Sequence, residues 1–285
     1  LSGDGQLDEA VRSLAALSQV SAVEYNSKAS LDSDGGVHAW EPSVKAATDL
    51  PFNDPMLGDQ WHYYNQGNAS IATSAKKGAD INVLDVWSKL TCGDPSIVVA
   101  VVDEGVKYIH PDLMDNMWVN PGEIPGNGID DDGNGYVDDV YGYNFAVDGP
   151  ISWAEEGDLG HATHCAGTIA AVNNNGKGVS GVAGGSGKGD GCRIMSCQIF
   201  SGNEGGLASV SSRAIKYAAD MGASIISCSF GYSNSFPSDN EYIKAVGSVE
   251  IDAIHYFEAS CNNPVLDGNI AIFSSGNSAH DYAHY

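Results

Sequence analysis

The run Ile97–Val102 in "SIVVAVVD" is six apolar residues long and ends on Asp103. A strand that is apolar on both faces is stable only when both faces are covered, which is the situation of a parallel sheet between two helix layers. Similar runs recur as "RIMSCQIF" (193–200), "SIISCSFG" (224–231) and "NIAIFSSGN" (269–277). Between them, "GHATHCAGTIAA" (160–171) and "LASVSSRAIKYAADMG" (207–222) have helical spacing, the second with a glycine stop. The expected fold is therefore α/β, a parallel β-sheet with helices on both faces. In such sheets ligands sit beyond the carboxyl ends of the strands. The residues found there are Asp103, then Ser229 to Gly231, then Gly276 and Asn277.

The flanks are different. Residues 1–27 pair a helical pattern (Leu7, Val11, Leu14) with a short strand-like "VSAVEYN". Residues 27–50 are polar and lack a clear period, so they read as a linker. This predicts an appended segment over 1–50 and one long domain over 51–285. Thirteen basic against 37 acidic residues give a formal net charge of −24, which argues against nucleic acid as a partner. No stretch of about 20 apolar residues occurs, so no transmembrane segment is expected. The six cysteines form no CxxC pair. Cys165, Cys197 and Cys228 lie in apolar runs and read as small hydrophobes, while a disulfide among Cys92, Cys192 and Cys261 stays open.

Taken singly, Asp103 is an ordinary strand terminator, His161 an ordinary helix opener and Asn277 a turn residue. Together with their flanks they say more. "VVAVVDEGVKYIHPDL", "HATHCAG", "GVSGVAGG" and "AIFSSGN" occur in that order. This ordered set resembles the subtilisin-like serine proteases (subtilases) over about residues 51–285. The resemblance implies Asp103 as catalytic aspartate, His161 rather than His164 as catalytic base, and Asn277 as oxyanion donor. It also implies Ser229, Phe230 and Gly231 as one wall of a cleft for an extended peptide, with Gly205 and Gly206 on the other. Two departures stand out: Glu104 replaces the usual Ser or Thr beside the aspartate, and Ala162 replaces Gly. Alternation along a strand predicts little coupling between Glu104 and Asp103.

The family's nucleophile motif, Gly-Thr-Ser-x-Ala, does not occur in these 285 residues. The expectation is a serine endopeptidase whose nucleophile lies on a second chain or a missing C-terminal segment, these residues alone being inactive. By resemblance, residues 1–50 are a partial inhibitory pro-segment and linker, with a maturation cut between about 28 and 52. Substrates would be proteins or peptides, and the location secreted or cell-envelope.

"NGIDDDGNGYVDD" adds a cation signal. Asp130, Asp132 and Asn134 alternate, Gly135 gives the turn, Tyr136 stands seventh and Asp138 ninth, the opening of an EF-hand-like loop. The twelfth position is Tyr141, so Asp139 is the candidate for the missing carboxylate. Calcium is the expected ion, because carboxylates so close repel one another unless a cation neutralises them. Asp112 with the Asn173–Asn175 loop matches a second calcium position of the family. Two other functions remain open: a catalytically inactive calcium-binding or peptide-binding module, and a zinc hydrolase using His161 and His164.

Overall fold

The computed structural model describes residues 28–31, 50–69, 73–155, 157–232 and 247–277. The helix and strand expected within residues 1–27 lie outside them. Ordered along the chain, the strands are β1 (Ser30–Leu31), β2 (Val98–Asp103), β3 (Gly142–Asn144), β4 (Arg193–Gln198), β5 (Phe200–Ser201), β6 (Glu204–Gly205), β7 (Ile225–Cys228), β8 (Phe230–Gly231) and β9 (Ile270–Phe273). The helices are α1 (Val83–Lys89), α2 (His161–Ala170), α3 (Ala208–Asp220) and α4 (Val249–Ala259). A five-stranded sheet in the order β3-β4-β2-β7-β9 forms the centre, and every pairing in it is parallel.

The pleat explains why β2 is apolar throughout. Val98, Ala100 and Val102 face one layer, where Ala214, Ile215 and Ala218 of α3 and Phe257 of α4 are buried. Val99 and Val101 face the other, against Ala162, Ala166 and Ala170 of α2. Those three alanines are four residues apart, make one stripe and are fully buried. Their small size lets α2 lie close to the strand that carries Asp103. Each fully buried Val or Ile of these layers contributes about 1.5–3 kcal/mol over its exposed state. A third cluster, Leu57, Tyr63, Val83 and Trp87, anchors α1, and Trp87 Nε1 donates to the Val182 carbonyl at 2.7 Å.

Strand order sets where a site can form. The chain runs from β2 outward to β3 and β4 on one side, then returns past β2 to β7 and β9 on the other. The carboxyl end of β2 is thus the point where the winding reverses, which opens a crevice. Asp103 ends that strand. All six cysteines are free thiols, including Cys92, Cys192 and Cys261, so the disulfide left open above does not form.

Candidate active site

Asp103 is fully buried, and its Oδ1 and Oδ2 lie 2.9 and 2.8 Å from Nδ1 of His161. The Glu104 N–H donates to Asp103 Oδ1 at 2.6 Å, which fixes the carboxylate. Gly105 completes the turn: a Cβ there would fall 1.7 Å from the Ser152 carbonyl oxygen, so no larger residue fits. His161 opens α2 behind Gly160, whose φ of 71° is in the left-handed region. The Asp103 hydrogen bond raises the His161 pKa, as does the Cys165 thiol, while burial opposes them. A carboxylate on Nδ1 puts the proton of the neutral ring there and leaves Nε2 as the basic atom.

Cys165, read from the sequence as apolar filler, stands beside this pair. Its Sγ lies 3.8 Å from Nδ1 and 4.0 Å from Nε2 of His161, and 3.9 Å from Oγ of Ser229. The i,i+4 spacing from His161 was the available signal. His164 faces elsewhere and lines a separate cavity of about 520 Å³ with His62, His110 and Thr168. His161 and His164 therefore do not form the metal pair that a zinc hydrolase needs.

The two expected cleft walls face each other, and a segment of this chain lies between them. Residues 28–31 fall in the stretch read as a linker, yet Ser30 and Leu31 pair antiparallel with Gly231 and Phe230. On the other side the Ala29 N–H donates to the Gly206 carbonyl, and Lys28 bridges to Leu207. Ala29 is buried in the cluster that holds Phe200 and Phe230. Gly206 is required there, because a Cβ would stand 2.6 Å from both the Ala29 oxygen and the Phe200 ring. Gly205 pairs with Phe200 in the β5–β6 ribbon that carries this wall. Asn277 is exposed, four residues past β9, beyond the same carboxyl end of the parallel sheet at which Asp103 closes β2.

The acidic insert is ordered by its own carboxylates. Asp130 Oδ1 accepts N–H bonds from Gly133 and Asn134, and its Oδ2 accepts one from Gly135. Carboxylate oxygens of Asp130, Asp132 and Glu123 lie within 4.8 Å of one another. Glu123 is 8% exposed, and its Oε2 has no hydrogen-bond partner. Asn134 donates to Asp132 and Asp139, and its carbonyl accepts from Tyr136 N–H. Two expected ligands have other duties. Asp138 accepts from the N–H groups of Gly126, Asn127 and Gly128, pinning the preceding turn. Asp139 is buried and bonded to the Tyr217 hydroxyl at 2.6 Å. Glu123 escaped sequence reasoning because it precedes the loop by seven residues and obeys no loop spacing. An all-oxygen donor set with an orphaned buried carboxylate oxygen fits a hard cation such as calcium.

Asp112 contacts the Asn173–Asn175 loop and its flank, accepting from Asn175 Nδ2 at 2.8 Å and Val179 N–H at 2.9 Å. Burial raises its pKa. Asp54, not singled out in the sequence, holds the same loop through Asn174 N–H, Asn175 N–H and the Ser180 hydroxyl.

Comparison with known proteins agrees with this geometry. The family described as "Subtilase family" matches residues 94–284. Subtilisin-like protease 1 of Plasmodium vivax is 33% identical over 75% of this chain, which spans 32% of that protein. The halolysin-like extracellular serine protease Nep of Natrialba magadii is 28% identical over 70% of the chain and 30% of its own length. Among solved structures, a protease from Pseudoalteromonas arctica superposes with a TM-score of 0.53 at 28% identity, covering 82% of this chain and 61% of that one. The chain thus spans about a third of the curated relatives it matches. With its parallel sheet, its Asp103–His161 pair and this match over residues 94–284, the chain belongs to the subtilase family.

Proposed function

We propose that these residues belong to a secreted, calcium-stabilised serine endopeptidase and carry the N-terminal part of its catalytic domain, with its own pro-segment held in the cleft. The observation that carries this reading is the pair of Asp103 oxygens on Nδ1 of His161. In the proposed mechanism a serine hydroxyl, supplied from outside these 285 residues, attacks the substrate carbonyl and passes its proton to Nε2 of His161. His161 then gives the proton to the leaving amine. Asp103 keeps the proton of the neutral ring on Nδ1 and stabilises the imidazolium that forms. Asn277 donates to the developing oxyanion, a role worth about 3–4 kcal/mol in such sites.

The substrate backbone adds as a strand against Gly231 on one side and Gly206 on the other. Occupation of both walls by residues 28–31 supports the reading of the N-terminal region as an inhibitory pro-segment. Calcium would be held by Glu123, Asp130, Asp132 and Asn134, where it neutralises the clustered charge and ties down the insert. An extracellular location is supported by the naming of the Natrialba relative as extracellular. No helix among the described residues is long and apolar enough to cross a membrane.

The test is to label the full-length protein, after maturation has removed residues 28–31 from the cleft, with a fluorophosphonate probe and to map the adduct. The expected result is one labelled serine, with labelling abolished in His161→Ala. No labelling of the matured protein favours a catalytically inactive peptide-binding module instead, and labelling that survives the substitution removes His161 as the base.

A further inference from the structure

Glu104 follows Asp103 directly, and its side chain is almost wholly withdrawn from solvent at 3% exposure. Instead of facing away from the site, it turns to the start of α2. Its Oε1 accepts the Leu159 N–H and its Oε2 accepts the His161 N–H, each at 2.9 Å. None of the ion pairs among the described residues involves it.

The start of α2 requires such an acceptor. A helix leaves its first N–H groups without intrahelical partners. The usual remedy is a Ser, Thr, Asp or Asn at the N-cap. Here the N-cap is Gly160, which has no side chain. Glu104, 57 residues upstream, supplies the missing acceptor, and the positive end of the helix dipole favours its negative charge. Burial pushes the Glu104 carboxyl pKa up, and the two N–H bonds oppose that shift. The adjacent carboxylates of Asp103 and Asp158 add to the rise. Two consecutive residues therefore hold one histidine at two points. Asp103 holds the ring through Nδ1, and Glu104 holds the main chain through N–H.

We propose that Glu104 is a positioning residue for His161, its two main-chain bonds fixing the start of α2 so that the imidazole stays in register with Asp103. This rests on the reading of Asp103 and His161 as the catalytic pair. Glu104 is not a substrate-facing acid: both oxygens are engaged by backbone N–H groups and the side chain is buried.

Two substitutions in the full-length protein test it. Glu104→Gln keeps the shape but sets an amide N–H against one of the two N–H donors. Glu104→Asp keeps the charge but is one methylene too short to reach both. The readouts are the NMR titration of the His161 ring and steady-state hydrolysis of a peptide substrate, with circular dichroism as the folding control. Both variants are expected to move the His161 titration toward that of a free imidazole. Both should also lower kcat by about 10–100-fold, the size of effect that a displacement of about 1 Å produces, with KM unchanged. The proposal is overturned if folded Glu104→Asp and Glu104→Gln keep the wild-type titration and kcat, or if they change only the preference for basic peptides. The ring titration needs no turnover. A wild-type protein without peptidase activity would therefore remove the protease reading, while the titration would still decide the role of Glu104.

Discussion

Ser30 pairs with Gly231 across 201 residues of sequence, its hydroxyl 3.5 Å from the Gly231 carbonyl oxygen. The register counts back along β8, with Leu31 opposite Phe230. The residue before Phe230 is Ser229, whose hydroxyl lies 3.9 Å from the Cys165 thiol and so beside His161. The maturation cut is accordingly expected just after Leu31, near the start of the 28–52 window. N-terminal sequencing of the matured full-length protein checks this, and a new terminus beyond residue 40 contradicts it.

Asp103→Asn is expected to lower kcat by on the order of 10⁴-fold, because the ring loses the tautomer that frees Nε2. The pH profile moves as well. His161 is raised from 6.5 to about 10, chiefly by its hydrogen bond to Asp103. Since the folded-state value is the higher one, the stability from this pair is fully present below pH 6.5 and is lost as pH climbs through about 10. The ascending limb of activity in the wild type should thus lie well to the alkaline side of 6.5. Asp103→Asn should draw the His161 titration back toward 6.5, and Cys165→Val should do so to a smaller extent. Titration of the imidazole by NMR in the three proteins measures this. Identical curves would remove the assigned cause.

Chelation of calcium is expected to lower the melting temperature, since an ion at about 100 times its Kd stabilises by about 2.7 kcal/mol. Glu123→Gln should weaken calcium binding by tenfold or more, because a unit charge at about 4 Å is worth about 4 kcal/mol at an effective dielectric of about 20. Asp138→Asn should leave the affinity unchanged, as that carboxylate is spent on the 126–128 turn. Isothermal titration with calcium separates the two, and the opposite ranking would show that the ligand set follows the EF-hand spacing after all.

Ala166→Leu is expected to destabilise the fold by about 1–3 kcal/mol, because the stripe between α2 and β2 has no room for added methylenes. A thermal scan showing no decrease would mean that α2 packs less closely than the full burial of Ala162, Ala166 and Ala170 indicates.

Much of this molecule was legible in its sequence. The two-sided apolar run at 97–102 is enough to demand a covered parallel strand, and β2 with both its helix layers is the result. Asp103 and His161 were identifiable because each sits in a local motif, at a strand end and at a helix start. Other elements carried weaker signals. The three residues of β3 and the seven of α1 are too short to show a period of their own. Residues 28–31 show no pattern, because their strand conformation is imposed by Gly206 and Gly231 far along the chain.

The sequence alone therefore determined the sheet, the order of the motifs and the acidic loop, since all of these are written in residues close together in the chain. Tertiary structure decided the rest: which carboxylates meet around Glu123, what caps α2, that Cys165 stands beside His161, and what fills the cleft. Each of those depends on groups that only folding brings together. Hydrogen bonds and charges act over a few ångströms of space, whatever the separation along the chain.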